Sequence, residues 1–156
     1  MRADEKAEVA EIFWRSWHES HAPFIPRPIV EHRTRDYFVD RVGQFERNPV
    51  VAVEDARLLG FVVWVDDRLD QLWVLPEARR RGIGSRLLDH AEAEMAAAGQ
   101  RRLRMVCRLG NEGARRLYER RGWSVVGQYD KPLGTADGEI GVPVWQMEKA
   151  LAAPGG

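Results

Sequence analysis

The run Arg79-Arg80-Arg81-Gly82-Ile83-Gly84-Ser85-Arg86-Leu87-Leu88 constrains this chain more than any other stretch. It follows the apolar segment Leu72-Trp73-Val74-Leu75-Pro76 and opens a segment whose apolar residues recur at helical spacing. Gly82 and Gly84 have no Cβ to hold a ligand away from the backbone. The first turn of the helix offers unpaired N–H groups to an anion. Arg79, Arg80, Arg81 and Arg86 bring positive charge to the same place, with no acid among them. A strand, an Arg/Gly turn and a helix N-terminus together form a receptacle for a pyrophosphate.

Two phosphate loops are excluded. A P-loop requires G-x-x-x-x-G-K-S/T, and the chain has no such string. A dinucleotide fingerprint requires G-x-G-x-x-G, but Leu87 stands where the third glycine belongs. The string does fit Q/R-x-x-G-x-G/A, with Arg79, Gly82 and Gly84 at the fixed positions. That pattern resembles the pyrophosphate loop of the GNAT N-acetyltransferase superfamily, which binds acetyl-CoA. Leu72-Trp73-Val74-Leu75-Pro76-Glu77 resembles the strand that precedes the loop in that family. Asn111 to Trp123 resembles its N-x-x-A-x-x-x-Y-x-x-x-G-F/W helix. The two motifs stand in the expected order, and the resemblance covers about Val50 to Tyr129.

The resemblance implies an α/β fold, a mixed and mostly antiparallel central sheet flanked by helices. It implies acetyl transfer from acetyl-CoA to a primary amine by direct attack in a ternary complex. Trp73, Val74, Arg79, Arg80, Arg81, Gly82, Ile83, Gly84, Ser85, Arg86, Asn111 and Ala114 would hold the cofactor. Backbone groups near Trp73 and Val74 would pair with pantetheine amides in the manner of strand addition, and this strand would splay from its neighbour there. Tyr118 matches the family tyrosine near the CoA sulfur. A phenol, with a pKa of about 10 against about 8.5 for a thiol, stays protonated at neutral pH and can protonate a departing thiolate. Asp70 is the candidate base, with the alternative role of balancing Arg68. Glu54, Asp66 and Asp67 stand behind it.

For the acceptor, the resemblance implies a pocket along Trp17 to Phe24, with Trp145 and the loop Lys131 to Gly141 facing the same cleft. Trp17, Phe24 and Trp145 would pack the acceptor's apolar part. Asp70, together with Asp137 or Glu139, would attract an ammonium group. That loop, with Gly134, Gly138 and Gly141, is expected to be mobile. A small-molecule amine and a protein N-terminus both remain open as acceptors. Two other readings compete: a non-catalytic acyl-CoA-binding regulatory module, and a nucleotide-binding protein using the same anion site.

Composition limits the alternatives. The chain has 156 residues, 44% hydrophobic and 31% charged, which suits one ordinary domain over 1–151 with a frayed tail at 152–156. Lys plus Arg and Asp plus Glu both count 24, so net charge makes no case for nucleic acid. No apolar run reaches the length of a membrane span, and the N-terminus lacks the apolar core of a secretory signal, so a cytoplasmic protein is expected. Cys107, the one cysteine, forms no internal disulfide and reads as a buried strand residue rather than a nucleophile. His18 and His21 have no third ligand beside them, so no metal is expected.

Along the chain, Asp4 is expected to cap a helix with Val9, Ile12, Phe13 and Trp17 on one face. Pro23, Pro26 and Pro28 should interrupt regular structure. A helix follows over Thr34 to Phe45, then strands at Val50–Val53, Leu58–Val65 and Leu69–Leu75. The helix after the arginine loop should end at Gly99 and be followed by a strand around Leu103 to Cys107. Asn111 caps the next helix, Gly122 stops it, and Trp123–Val126 and Val142–Met147 are the last strands. The family's short first strand is missing or reduced here. A homodimer is compatible with the sequence.

Overall fold

The computed structural model describes residues 2–152. Helix α1 (Ala3–Ser20) buries Val9, Ile12, Phe13 and Trp17, the face expected from their spacing. Its cap is Arg2 rather than Asp4, with the Arg2 N–H donating to Glu5 Oε2 at 3.3 Å. Asp4 lies inside the first turn, where a carboxylate meets the positive end of the helix dipole. The proline segment is also more regular than expected. A 3-10 turn spans Ala22–Phe24, and a short helix α2 (Arg27–His32) starts at Pro26. Proline breaks helix interiors but is tolerated in a first turn, where its missing N–H has no partner to lose. Helix α3 (Arg35–Gly43) is capped by Thr34, whose hydroxyl accepts from the Tyr37 N–H at 3.2 Å.

Strands β1 (Val50–Glu54), β2 (Arg57–Val65) and β3 (Arg68–Val74) form an antiparallel meander with tight turns at Asp55-Ala56 and Asp66. Helix α4 (Ile83–Ala97) crosses over to β4 (Arg102–Arg108), which is parallel to β3. Helix α5 (Glu112–Arg120) leads to β5 (Ser124–Thr135) and β6 (Gly138–Ala150). The sheet order is β1-β2-β3-β4-β6-β5. Among the described residues no strand precedes α1, in line with the missing first strand. Ala152 has no regular structure, and the rest of the expected frayed tail lies outside the described residues.

The expected mobile loop Lys131 to Gly141 is instead the end of a long hairpin. β5 and β6 pair from Ser124–Glu148 to Thr135–Gly138, so Lys131 stands opposite Val142 and Gly134 opposite Glu139. Its glycines weaken a strand but do not prevent pairing when each backbone group finds a partner. The Arg33 guanidinium donates to the Gly134 carbonyl at 3.1 Å and ties this hairpin to the end of α2.

Each face of the sheet carries a core. Val9, Phe13, Phe38, Phe61 and Val63 fill the face under α1 and α3. Val62, Leu88, Met95, Leu103 and Met147 fill the face under α4. Glu92 is buried in this second core, accepts from Trp123 Nε1 at 3.1 Å and is paired with Lys149 at 2.5 Å. A buried carboxylate is tolerable only with such partners.

One seam of the sheet is incomplete. β4 and β6 pair along their length, from Arg102–Ala150 to Arg108–Val144. β3 and β4 pair only at Arg68–Arg104, supported by the Arg104 N–H donating to the Asp67 carbonyl at 2.9 Å. The β2–β3 register skips Asp70, between Trp64–Leu69 and Val63–Gln71. A bulge bends its strand, and β3 turns away from β4 at the point where their pairing stops.

Candidate functional site

The gap between β3 and β4 is a cleft of about 690 Å³. Leu69 to Val74 form one wall and Met105 to Arg108 the other. The arginine loop and the first turn of α4 close one end, while Asn111, Ala114, Leu117 and Tyr118 of α5 lie across it. Residues from four separate elements therefore meet at the splayed seam.

The loop is shaped by two left-handed residues, Arg80 at φ 64° and Gly82 at φ 79°. Gly82 is the N-cap of α4 and supplies no side chain to satisfy the first-turn amides. The N–H groups of Ile83, Gly84 and Ser85 thus stand at the helix start without intrahelical partners, and all three residues line the cleft. Gly84 is not required by the fold. A Cβ there would meet Leu117 Cδ2 at 3.6 Å and Val74 Cγ2 at 3.7 Å, ordinary contacts.

Of the expected cofactor residues, Trp73, Val74, Arg79, Arg80, Gly82, Ile83, Gly84, Ser85, Asn111 and Ala114 line the cleft. Arg81 and Arg86 do not. Arg81 is paired with Glu54, and Arg86 lies exposed on the flank of α4. Arg79 reaches the cleft, but its guanidinium is engaged by Glu19 and by Ser20 Oγ at 2.9 Å. The loop therefore presents mainly its backbone to the cleft, with Arg80 the least committed of its side chains. Arg116 and Arg120 of α5 supply further positive charge on the lining. Their i, i+4 spacing on one helix face was the available sequence signal.

Tyr118 lines the cleft half-buried, with its ring edge-on to Trp123 at 6.3 Å between centroids. Burial, and then the neighbouring Cys107 thiol, raise its pKa above the ordinary phenol value. Asn111 caps α5, its Oδ1 accepting from the Ala114 N–H at 3.2 Å. Asp70 reaches the cleft from the bulge, and its carboxylate is ion-paired with Arg68. Burial pushes the Cys107 thiol up to about 12, so it carries no thiolate at neutral pH.

Three expected acceptor residues lie elsewhere. Trp17 is packed in the core under α1, beside Phe38. Phe24 is exposed and rests against Gly110. Trp145 is buried on the α4 side of the sheet, where the Arg115 guanidinium lies 4.5 Å from its ring centroid. Strand alternation explains Trp145, since it stands opposite Cys107 and shares its inward direction. Asp137 and Glu139 are exposed at the hairpin tip.

The sequence reading gave no site role to Arg108 and none to His21 beyond its place in the Trp17 to Phe24 segment, yet both are on the cleft wall. His21 packs against Trp73 at 4.9 Å between centroids, and its Nδ1 is buried without a partner. Burial, with Arg108 and Arg79 nearby, lowers its pKa to about 3, so it stays neutral at physiological pH. No group of three potential metal ligands occurs among the described residues. Among the described residues no helix is long and apolar enough to cross a membrane.

Residues 7–123 match the model of the acetyltransferase (GNAT) family. The fold is shared with solved structures at low identity. A GCN5-related N-acetyltransferase from Rhodopseudomonas palustris is 20% identical, with a TM-score of 0.78 over 97% of this chain and 92% of that one. The PaiA N-acetyltransferase from Thermoplasma acidophilum, solved in complex with coenzyme A, is 19% identical, with a TM-score of 0.70 over 97% and 96%. YjaB from Escherichia coli is 25% identical, with a TM-score of 0.71 over 97% and 95%.

Proposed function

This chain belongs to the acetyltransferase (GNAT) family, and we propose that it transfers the acetyl group of acetyl-CoA to a primary amine bound beside the β3–β4 seam. The observation that carries the reading is the seam itself. Past Arg68, β3 has no pairing with β4, and the cleft left by the missing ladder runs to the open amides of α4. Pantetheine carries amides that can take the place of the missing strand partners. Pyrophosphate suits the first turn of α4, where N–H groups and the helix dipole favour negative charge. The relative from Thermoplasma acidophilum, solved with coenzyme A, supports the same cofactor here.

The proposed chemistry is direct attack. The amine nitrogen bonds to the thioester carbon, the carbon–sulfur bond breaks, and the thiolate takes a proton. Tyr118 is the proposed donor of that proton. Its raised pKa keeps the hydroxyl protonated before reaction, ready to donate to the negative charge that builds on the departing sulfur. Cys107, protonated and inward, takes no covalent part. Asp70 is the proposed acceptor of the amine proton, directly or through water, once displaced from Arg68.

The test is thiol release from acetyl-CoA in the presence of a panel of primary amines. Amine-dependent release, with the acetylated amine found by mass spectrometry, supports transfer. Tight acetyl-CoA binding without release by any amine identifies a binding module instead.

A further inference from the structure

The sheet face that meets α1 and α2 carries an unbalanced set of cations gathered around Arg108, which lines the cleft. Arg108 closes β4 and points away from Cys107, to the side facing His21. Its Nε and one terminal nitrogen are buried with no hydrogen-bond partner. Strand pairing sets Arg108, Val144 and Tyr129 in one row and Lys131 beside Val142, so Lys131 and Arg108 emerge on the same face. Among the described residues, neither has a carboxylate within ion-pair distance, although the chain has fourteen such pairs elsewhere. Arg33, nearly buried, adds a third charge behind them while holding the Gly134 carbonyl. The one carboxylate acting on Lys131 is Asp70, and it is already matched by Arg68.

Buried guanidinium N–H groups without partners are costly and uncommon. An apolar residue at 108 would remove that cost. A cationic acceptor such as a polyamine would be repelled here, which reverses the expectation that the cleft draws in an ammonium group. The missing partner is an anion, and its position on the acceptor side, across the sheet from α4, separates it from the pyrophosphate loop.

Resting on the proposed acetyl transfer, we propose that the acceptor is a small amine bearing a carboxylate near its reacting nitrogen, of the amino-acid class, and that Arg108 and Lys131 bind this carboxylate. A bidentate guanidinium–carboxylate contact would satisfy Arg108 and fix the orientation of the amine. The same cations act on the ammonium group of the bound acceptor. Like charges disfavour its protonated form, so the amine sheds its proton more readily in the site than in water. Asp70, engaged by Arg68, then has less to do.

The experiment compares free amino acids with the corresponding amino-acid carboxamides, and both with spermidine. Thiol release is followed for the native protein, Arg108→Met, Arg108→Lys and Lys131→Met. The native protein should prefer carboxylates over carboxamides by about 10- to 100-fold in kcat/KM, the range expected of a charge-assisted hydrogen bond. Arg108→Met should bring that ratio close to one, and Arg108→Lys should restore part of it. Lys131→Met, on a half-exposed strand position, should lower the ratio in a protein that melts normally. In parallel, N-acetyl amino acids and their carboxamides are titrated in the presence of CoA by calorimetry, which reads the carboxylate site without turnover. A native preference for carboxamides or spermidine, or equal binding of both N-acetyl series, overturns the carboxylate site. So does an Arg108→Met variant whose defect lies in acetyl-CoA affinity alone. Carboxylate-selective binding without acetylation of any amine would instead sink the transferase reading while leaving the carboxylate site standing.

Discussion

Gly84→Ala, set beside Gly84→Asp, separates what the fold needs from what the ligand needs. Gly84 lies in the first turn of α4, in ordinary helical backbone, and a Cβ there would meet only Leu117 and Val74 at 3.6 and 3.7 Å. Nothing in the protein must move to receive it. Alanine is favoured over glycine in a helix by up to about 1 kcal/mol, and less near a helix end. The unliganded variant should therefore be about 0.5 kcal/mol more stable, a rise of about 1–2 °C in Tm for a chain of this length. The loop pattern Q/R-x-x-G-x-G/A also admits alanine here, so the methyl alone should leave the amides at the start of α4 open to a pyrophosphate. Gly84→Asp instead sets a carboxylate beside those amides, and its charge opposes the ligand. Acetyl-CoA affinity should stay within about threefold in Gly84→Ala and fall at least about tenfold, which is about 1.4 kcal/mol, in Gly84→Asp. Thermal melts with and without acetyl-CoA read both effects in one sample set. Gly84→Ala should melt higher than the native protein alone and keep its ligand-induced shift, while Gly84→Asp should lose most of that shift. An unchanged ligand-induced shift in Gly84→Asp would refute the claim that the start of α4 holds the pyrophosphate. A lowered Tm of Gly84→Ala without ligand would refute the packing argument.

Other expectations follow from single groups. Tyr118→Phe keeps the ring on Trp123 and should lower kcat by about 10²–10⁴-fold with little change in acetyl-CoA affinity; equal rates would reduce Tyr118 to packing. The folded-state pKa of His21 lies near 3, below the 6.5 of the unfolded chain. Its contribution to stability is thus complete above pH 6.5 and is lost as pH falls toward 3, with a slope of at most about 1.4 kcal/mol per pH unit. His21→Phe should flatten that part of the acid-unfolding profile, and an unaltered slope would contradict the burial argument. The Cys107 pKa is raised, so its contribution is complete below the ordinary thiol value and is lost as pH climbs toward 12. Iodoacetamide should leave it unmodified at pH 8 in the native state and label it after denaturation. Glu92→Ala strands Lys149, whose side chain is 23% exposed, and the Trp123 N–H. It should cost about 2–4 kcal/mol in urea melts, somewhat less than a fully buried pair would, and a loss under 1 kcal/mol would mean water replaces the carboxylate.

The sequence was most informative where one rule governs several residues. The periodicity of α1 and α4, the alternation in β4 and the motif strings around the loop each place many side chains by a single geometric period. Alternation alone would also have put Trp145 beside Cys107 on the inward face, had the β4–β6 register been known. Which strands become neighbours is a long-range property, and β4 and β6 pair across α5 and β5. The hairpin of β5 and β6 was missed for the same reason, because Gly134, Gly138 and Gly141 argue locally for a loop while pairing across the strands overrides them. The ion pairs of Arg81 and Arg79 were not legible, because a basic cluster says nothing of the acids that fold against it. Glu54 is 27 residues from Arg81, and Glu19 is 60 from Arg79. Arg108 read as one more outward residue of an alternating strand. Its burial, and the absence of a partner for it, depend on the hairpin and α2 closing over that end of the sheet.

The most direct test of the account is the amide spectrum of the isotope-labelled protein during titration with acetyl-CoA. One-to-one binding should shift the amides of Gly82, Ile83, Gly84 and Ser85 together with those of Trp73 and Val74, and ATP or NAD at the same concentration should not displace the ligand. Shifts confined to other surfaces, or equal competition by ATP, would contradict a cofactor laid along the open seam between β3 and β4.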